Sequence, residues 1–291
     1  MKKKLFFLFP LSLLILNCNK DDETPTIEVR EYSEQVNVDQ QLIEDFMKSH
    51  TYNYEDFNNQ SNVSVRIDTI DASNSKKSSL FEMASVKTID VNDTDGNNIP
   101  HNLYYILAQQ GSNNSPEVSD SVYVTYEGSL IDGYIFDERK FPIWLDLPNT
   151  ISGFREGITE LKSGNYFVNK NGTITYDSYG VGIFFLPSGI GYFENSALGI
   201  PGYSPLIFTI KLMTHTPTDH DNDGVLSIHE DIDGNGDPFG DDTDGDRLWN
   251  MYDVDDDGDG ILTVNELDKN NDGVVDDINN DGTPDYLDPN N

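Results

Sequence analysis

Cysteine is all but missing: Cys18 stands alone in 291 residues, so no disulfide can form within the chain. Bases are scarce too, 18 Lys and Arg against 52 Asp and Glu, for a net charge of −34. A chain this acidic repels phosphate backbones and anionic membrane faces, which excludes nucleic acid as a partner. The apolar run Leu5–Leu16 falls short of the roughly 20 residues a spanning helix needs. What remains is a long, acidic chain with room for one sizeable core and smaller units beside it.

The acidity is unevenly spread. Between Asp219 and Asn291 there are 24 acidic residues against Arg247 and Lys269, which places −22 of the −34 there and marks 219–291 as a separate unit. At the other end, three lysines precede Leu5–Leu16, and residues 1–17 read as a secretion signal. Ile15-Leu16-Asn17-Cys18 resembles the lipobox of bacterial lipoproteins, with Asn17 in place of the usual small residue. That resemblance implies acylation of Cys18 and a lipid anchor in the outer membrane of a Gram-negative bacterium. The acidic run from Asn19 to Glu23 looks like an export tag, so the body would face the periplasm or the cell surface. Residues 18–35 are expected to be a tether.

Residues 36–100 form a small N-terminal region with no chemistry to assign. Asp39 is placed to cap a helix whose Leu42, Ile43, Phe46 and Met47 make an apolar stripe for packing. From Asn102 the pattern turns to strands: Leu103–Leu107, then Val122, Val124 and Tyr126 alternating into Leu130. Asp132-Gly133 is a strong hairpin signal, and Pro142–Leu145 gives a further run. Phe154, Ile158 and Leu161 then mark one short amphipathic helix, stopped by Gly164. Strands return at Ile183–Leu186 and Leu206–Met213. Many strands and one central helix argue for an α+β domain over 101–215, an antiparallel sheet curled over one short helix, followed by an irregular loop-repeat region.

This order of signals resembles the FKBP-type peptidyl-prolyl isomerases over about Asn102 to Thr214. VYVTYEGSLIDGYIFDE looks like that family's hairpin, and ISGFREGITELKSG like its helix. PSGIGYF and IPGYSPLIFTIKL look like its closing segments. The resemblance implies a proline pocket lined by Tyr126, Phe136, Asp137, Ile143, Ile151, Phe154, Tyr192, Ile200 and Phe208. Within it, the Ile151 N–H and the Tyr192 hydroxyl would hold the substrate, and Asp137 would sit by the twisting carbonyl or brace Tyr126. Proline-containing proteins would be the substrates, and no cofactor is needed for catalysis. Phe154 stands where the family usually has Trp, Ile143 replaces an aromatic, and Phe193 replaces a Gly. Roughly 169–181 is an insertion placed to extend a hairpin near the pocket. The same fold would also serve a non-catalytic proline-binding or chaperone module.

The tail repeats one motif. Asp219, Asp221, Asp223 and Glu230 fall at positions 1, 3, 5 and 12 of a calcium loop, with Ser227 at 9 and Gly224 at 6. Asp255, Asp257, Asp259 and Glu266 repeat it. Looser copies comprise Asp242, Asp244, Asp246 and Asp253; Asp268, Asn270 and Asp272; and Asp277, Asn279, Asp281 and Asp288. Asp231-Ile232-Asp233-Gly234-Asn235-Gly236 is a fragment. Hard oxygen donors, with no Cys or His at a ligand position, select calcium over zinc or copper. Without long helices between the loops, EF-hand pairs are not expected. The tandem spacing resembles thrombospondin type 3 repeats, most closely in DTDGDRLWNMYDVDDDGDG, with a dockerin as the alternative. Structural calcium is the expected ligand, and a calcium-dependent surface adhesin is the rival role for the whole chain.

Overall fold

The computed structural model describes residues 29–58, 62–197 and 199–290. The signal run, the lipobox and Cys18 lie outside them. Among the described residues no helix is long and apolar enough to cross a membrane.

In chain order the elements are α1 (Tyr32–Ser49), β1 (His50–Tyr52), β2 (Ile67–Thr69), α2 (Leu80–Met83), β3 (Ser85–Asn92), β4 (Asn98–Gln109), β5 (Ser121–Leu130), β6 (Ile135–Asp146), α3 (Ser152–Ile158), β7 (Asn165–Val168), β8 (Ile174–Asp177), β9 (Gly180–Leu186) and β10 (Leu206–Thr216). Six strands form one antiparallel sheet in the order β3-β4-β9-β10-β5-β6. Neighbours β9 and β10 lie at its centre. Every residue of β9 is buried, as its unbroken apolar run Val181–Leu186 requires when both faces are covered.

The two faces have different covers. Phe184 and Leu186 of β9 point to one side, where Phe154 and Ile158 of α3 close a core with Leu103, Val122, Val124, Phe208 and Leu212. Ile183 and Phe185 point to the other side, against Ile43 and Met47 of α1, with Tyr104, Ile106 and Ile207. Period-2 alternation thus feeds two cores at once. The expected sheet over one helix describes one face; α1 adds a layer behind it.

Several expectations change here. The boundary at 100/101 falls inside β4, because β3 and the start of β4 belong to the same sheet. The tether ends before residue 35: the Arg30 N–H donates to Tyr203 Oη at 2.9 Å and α1 starts at Tyr32. Asp39 is no cap but a fully buried residue inside α1. It accepts from Ser188 N at 2.7 Å, Ser188 Oγ at 2.6 Å and Gln35 Nε2 at 2.6 Å. These bonds tie the back helix to the Pro187–Ile190 turn. On the front, α3 ends at Ile158, and Leu161 reaches the core from just beyond it.

Candidate functional site

The opening hairpin builds one wall of the site. Leu130 N–H donates to Tyr134 O at 2.9 Å and Gly133 N–H to Leu130 O at 3.0 Å, with Gly133 at φ +88 as the turn requires. Behind the turn β5 and β6 pair with two register shifts, between Val124 and Tyr126 and between Gly128 and Ser129. Gly128 sits where a Cβ would lie 2.6 Å from the Phe136 ring and 2.9 Å from Phe208, so only glycine admits both rings.

The result is a cavity of about 370 Å³ lined by Tyr126, Phe136, Asp137, Leu145, Asn149, Thr150, Ile151, Phe154, Tyr192 and Phe208. Its aromatic walls meet edge to face: Phe154–Phe208 at 5.3 Å, Phe136–Phe208 at 5.6 Å and Tyr126–Phe154 at 5.9 Å between centroids. Phe154 is only 4% exposed and forms the floor. At the rim Tyr126 Oη donates to Asp137 Oδ2 at 2.5 Å, and Arg139 Nη1 donates to Asp137 Oδ1 at 2.9 Å. Asp137 is therefore a brace held from both sides. Burial, then the carboxylate of Asp137, pushes the Tyr126 hydroxyl far up; burial raises Tyr192 likewise. Both phenols stay neutral donors at physiological pH. Ile151 is the residue before α3, and among the described residues its N–H has no acceptor.

The structure thus brings together seven of the expected pocket residues: Tyr126, Phe136, Asp137, Ile151, Phe154, Tyr192 and Phe208. Ile200 does not line the cavity; it is 2% exposed and packs in the core behind the wall. Ile143 does not line it either, and Leu145 does. Ile143 and Leu145 stand two apart on β6 and share a face, so alternation cannot choose between them, and the two bulges in the β5–β6 ladder shift the register by steps no count along the sequence anticipates. Asn149 and Thr150 also line it, and no sequence signal marks them, because the segment between β6 and α3 carries no pattern. The insertion supplies the turn and β8 of the β7–β8 hairpin, whose Tyr176 packs on Tyr123; no residue of that hairpin lines the cavity. Phe193 takes a left-handed φ of +48 and stacks on Tyr32 of α1 at 3.8 Å. A second concavity of about 350 Å³ lies elsewhere on the β5–β6 and β10 strands, but Glu127, Glu138, Arg139, Lys140 and Lys211 make its walls charged and unsuited to a proline ring.

The tail forms six loops of one design. The first carboxylate of each accepts the N–H of the sixth residue: Gly224 to Asp219, Gly236 to Asp231, Arg247 to Asp242, Gly260 to Asp255, Gly273 to Asp268 and Gly282 to Asp277, at 2.8–3.2 Å. Arg247 adopts the glycine conformation at φ +84. Arg247→Gly is therefore expected to stabilise that loop by about 1 kcal/mol, read as a higher thermal midpoint of the tail. An unchanged midpoint would mean that the strain is relieved elsewhere. Position 9 is not aimed inward. The side chains of Ser227, Asn250, Thr263, Asp276 and Asp285 instead accept from the N–H of the second residue of their own loops.

Among the described residues, oxygen donors converge to within 4.8 Å in five groups: Asp219-Asp221-Asp223, Asp223-Glu230-Asp256, Asp231-Asp233-Asp241, Asp242-Asp244-Asp246 and Asp255-Asp257-Asp259. Asp256 and Asp241 were not expected there. Asp253, Glu266, Asp268, Asp272, Asp277, Asp281 and Asp288 do not converge as closely. Asn270 donates to Asp276, and Asn279 to Asp281 and Asp288, so these amides present nitrogen instead of oxygen. Buried carboxylate oxygens of Asp221, Asp223, Glu230, Asp255, Asp257 and Glu266 have no protein donor. Orphaned oxygens of this kind fit a hard divalent cation.

The tail also rests on the domain that carries the pocket. His220 Nε2 lies 3.1 Å from Asp146 Oδ1, and the Arg155 guanidinium of α3 sits 4.0 Å over the Phe239 ring.

Residues 112–213 match the family of FKBP-type peptidyl-prolyl cis-trans isomerases, and that segment, with its pocket, is an FKBP-type domain. Residues 220–275 match the family described as BamM C-terminal. Among relatives, the probable FKBP-type isomerase FkpA of Neisseria meningitidis is 34% identical over 115 residues, 38% of this chain and 37% of that protein. FkpA of Aeromonas hydrophila is 30% identical over 48% of this chain and 46% of its own length, and Mip of Coxiella burnetii 30% over 40% and 46%. The chain thus spans less than half the length of these curated relatives. The crystal structure of FkpA from Escherichia coli is similar over 45% of this chain and 52% of that chain, at 30% identity and a TM-score of 0.34.

Proposed function

We propose that this chain is an exported peptidyl-prolyl cis-trans isomerase that acts on proline-containing proteins outside the cytoplasm. The convergence of Phe136, Phe154 and Phe208 with the Tyr126–Asp137 pair on one cavity carries this reading. Turning a peptide bond meets a barrier of about 18–20 kcal/mol, and an X-Pro bond isomerises unaided in tens to hundreds of seconds. No bond breaks, so no nucleophile or metal is required. The proline ring would sit on Phe154 between Phe136 and Phe208. Water is thereby stripped from the imide carbonyl, which disfavours the planar, charge-separated amide more than the twisted form. The Ile151 N–H and the Tyr192 hydroxyl are the donors placed to hold the twisted backbone. In a proline-limited refolding assay the chain should accelerate the slow phase. Phe136→Ala, which removes a wall, should abolish most of that gain; undiminished turnover would contradict the reading.

The tail we assign to structural calcium, held chiefly by Asp219, Asp221, Asp223 and Glu230, by Asp242, Asp244 and Asp246, and by Asp255, Asp257 and Asp259. The orphaned carboxylate oxygens support it. Such ions supply positive charge that lets an apolar-poor segment pack. For location, Lys2–Lys4, the apolar run and Cys18 support a lipoprotein of the outer membrane, its lipid anchor joined to the body by a short tether.

A further inference from the structure

The two complete loops, Asp219–Glu230 and Asp255–Glu266, meet at a point that neither repeat defines alone. Asp223 and Glu230 close the first loop, and Asp256 reaches them from the second position of the other, all three with ligand-capable oxygens within 4.8 Å of one another. The three residues are buried, at 2%, 1% and 1% exposure. Asp256 and Glu230 have no donor to either carboxylate oxygen, and Asp223 has none to Oδ2. Among the described residues no base pairs with them: the further charges that act on Glu230 and Asp256 come from Asp219, Asp221 and Asp253, while Lys269 pairs with Glu266 and Asp285. Ionised together without a cation, three carboxylates this close would repel one another strongly even at the effective dielectric of a protein.

The first loop also has a place to fill. Its ninth residue, Ser227, is turned away to the backbone N–H and ring of His220. Asp256 owes nothing of the kind, since its own N–H is taken by Thr263 Oγ1 at 3.2 Å and its carboxylate is left over. The loops are thereby fixed with a spare acid of the fourth beside the closing carboxylates of the first.

We propose that Asp256 is the ligand in trans of the first loop's divalent cation, calcium by its donor set, joining Asp223 and Glu230 in the place that Ser227 vacates. One ion then locks the first and fourth loops together, and the tail folds as a unit instead of as six independent turns. This rests on the calcium reading of the tail.

Isothermal titration of the full-length protein with calcium tests it. Asp256→Asn keeps the shape and the Thr263 bond, and should weaken one class of ion on the order of tenfold while leaving the others unchanged. Glu230→Gln should weaken the same class, and the double variant should weaken that one class further while the others stay unchanged, because both act on one ion. Asp281→Asn, in the sixth loop, should spare it. Calcium affinity unaltered in Asp256→Asn, or a loss that falls on a different class of ion from that of Glu230→Gln, would overturn the shared site while Asp223→Asn still reports the loop itself. Failure of the unmodified protein to bind any calcium would instead remove the wider reading, and this site with it. Near-ultraviolet circular dichroism of the pocket aromatics checks that each variant is folded.

Discussion

Asp137→Val is expected to lower kcat/KM toward an X-Pro bond by about tenfold to a hundredfold without unfolding the protein. Asp137 holds Tyr126 through a 2.5 Å bond and is itself held by Arg139. Valine keeps the bulk at the mouth and removes both bonds, so Tyr126 is released while Phe136, Phe154 and Phe208 remain. Misplacement of a positioning group by about 1 Å is worth on the order of a hundredfold in rate. Asp137 is partly exposed at the rim and takes no part in the cores around Phe184 and Phe185, so stability should fall little. The measurement is the slow phase of a proline-limited refolding reaction beside a urea denaturation curve. A rate loss matched by an equal loss of fold would assign Asp137 a structural role instead.

Removing calcium should have the largest effect on the rest of the molecule. At a concentration tenfold above its Kd each ion adds about 1.4 kcal/mol, so several ions together decide whether the tail folds. With chelator present, the tail should expand, visible as a larger radius by small-angle scattering and a loss of circular dichroism. Acidity should then partly restore it. In the ion-free tail burial, and after it the neighbouring carboxylates, pushes Glu230 up to about 9 and Asp256 up to about 8, and the same two causes bring Asp221 to about 7. Their ordinary values are 4.5 for Glu230 and 3.8 for the two aspartates. Folded pKa values above unfolded ones mean that the folded form binds more protons. That stabilisation is complete below about pH 4 and is lost as pH rises through 7 to 9. With calcium present the dependence reverses, because protons compete for the same oxygens. A tail insensitive to chelator at every pH would rule out ordered calcium loops.

The parts of the site legible in the sequence were those fixed by short spacing. Tyr126, Phe136 and Asp137 lie on one hairpin, and Asp132-Gly133 sets its turn, so twelve residues of pattern carry the rim. The distant contributors were harder. Leu145 lines the cavity where Ile143 was expected; the two stand two apart on one face of β6, so alternation cannot choose between them, and the bulges of the β5–β6 ladder leave no reliable mark in composition. Asp39 looked like a helix cap because an acid ahead of an apolar stripe usually is one. Its partner Ser188 is 149 residues away, and only the folded chain reveals that α1 braces the turn leading to Tyr192. The tail shows the same division. Loop spacing anticipates the first, third and fifth carboxylates that come together at Asp219, Asp242 and Asp255, whereas Asp256 reaches Asp223 and Glu230 from another loop, where spacing says nothing.

The most direct test of the central claim is exchange spectroscopy by NMR on a short X-Pro peptide mixed with the full-length protein at a few per cent of its concentration. The account expects cis and trans signals to exchange within seconds or faster, and this acceleration to vanish in Phe136→Ala. Binding of the peptide with no faster exchange would contradict it, and would make the aromatic cavity a docking site for proline instead of a catalyst.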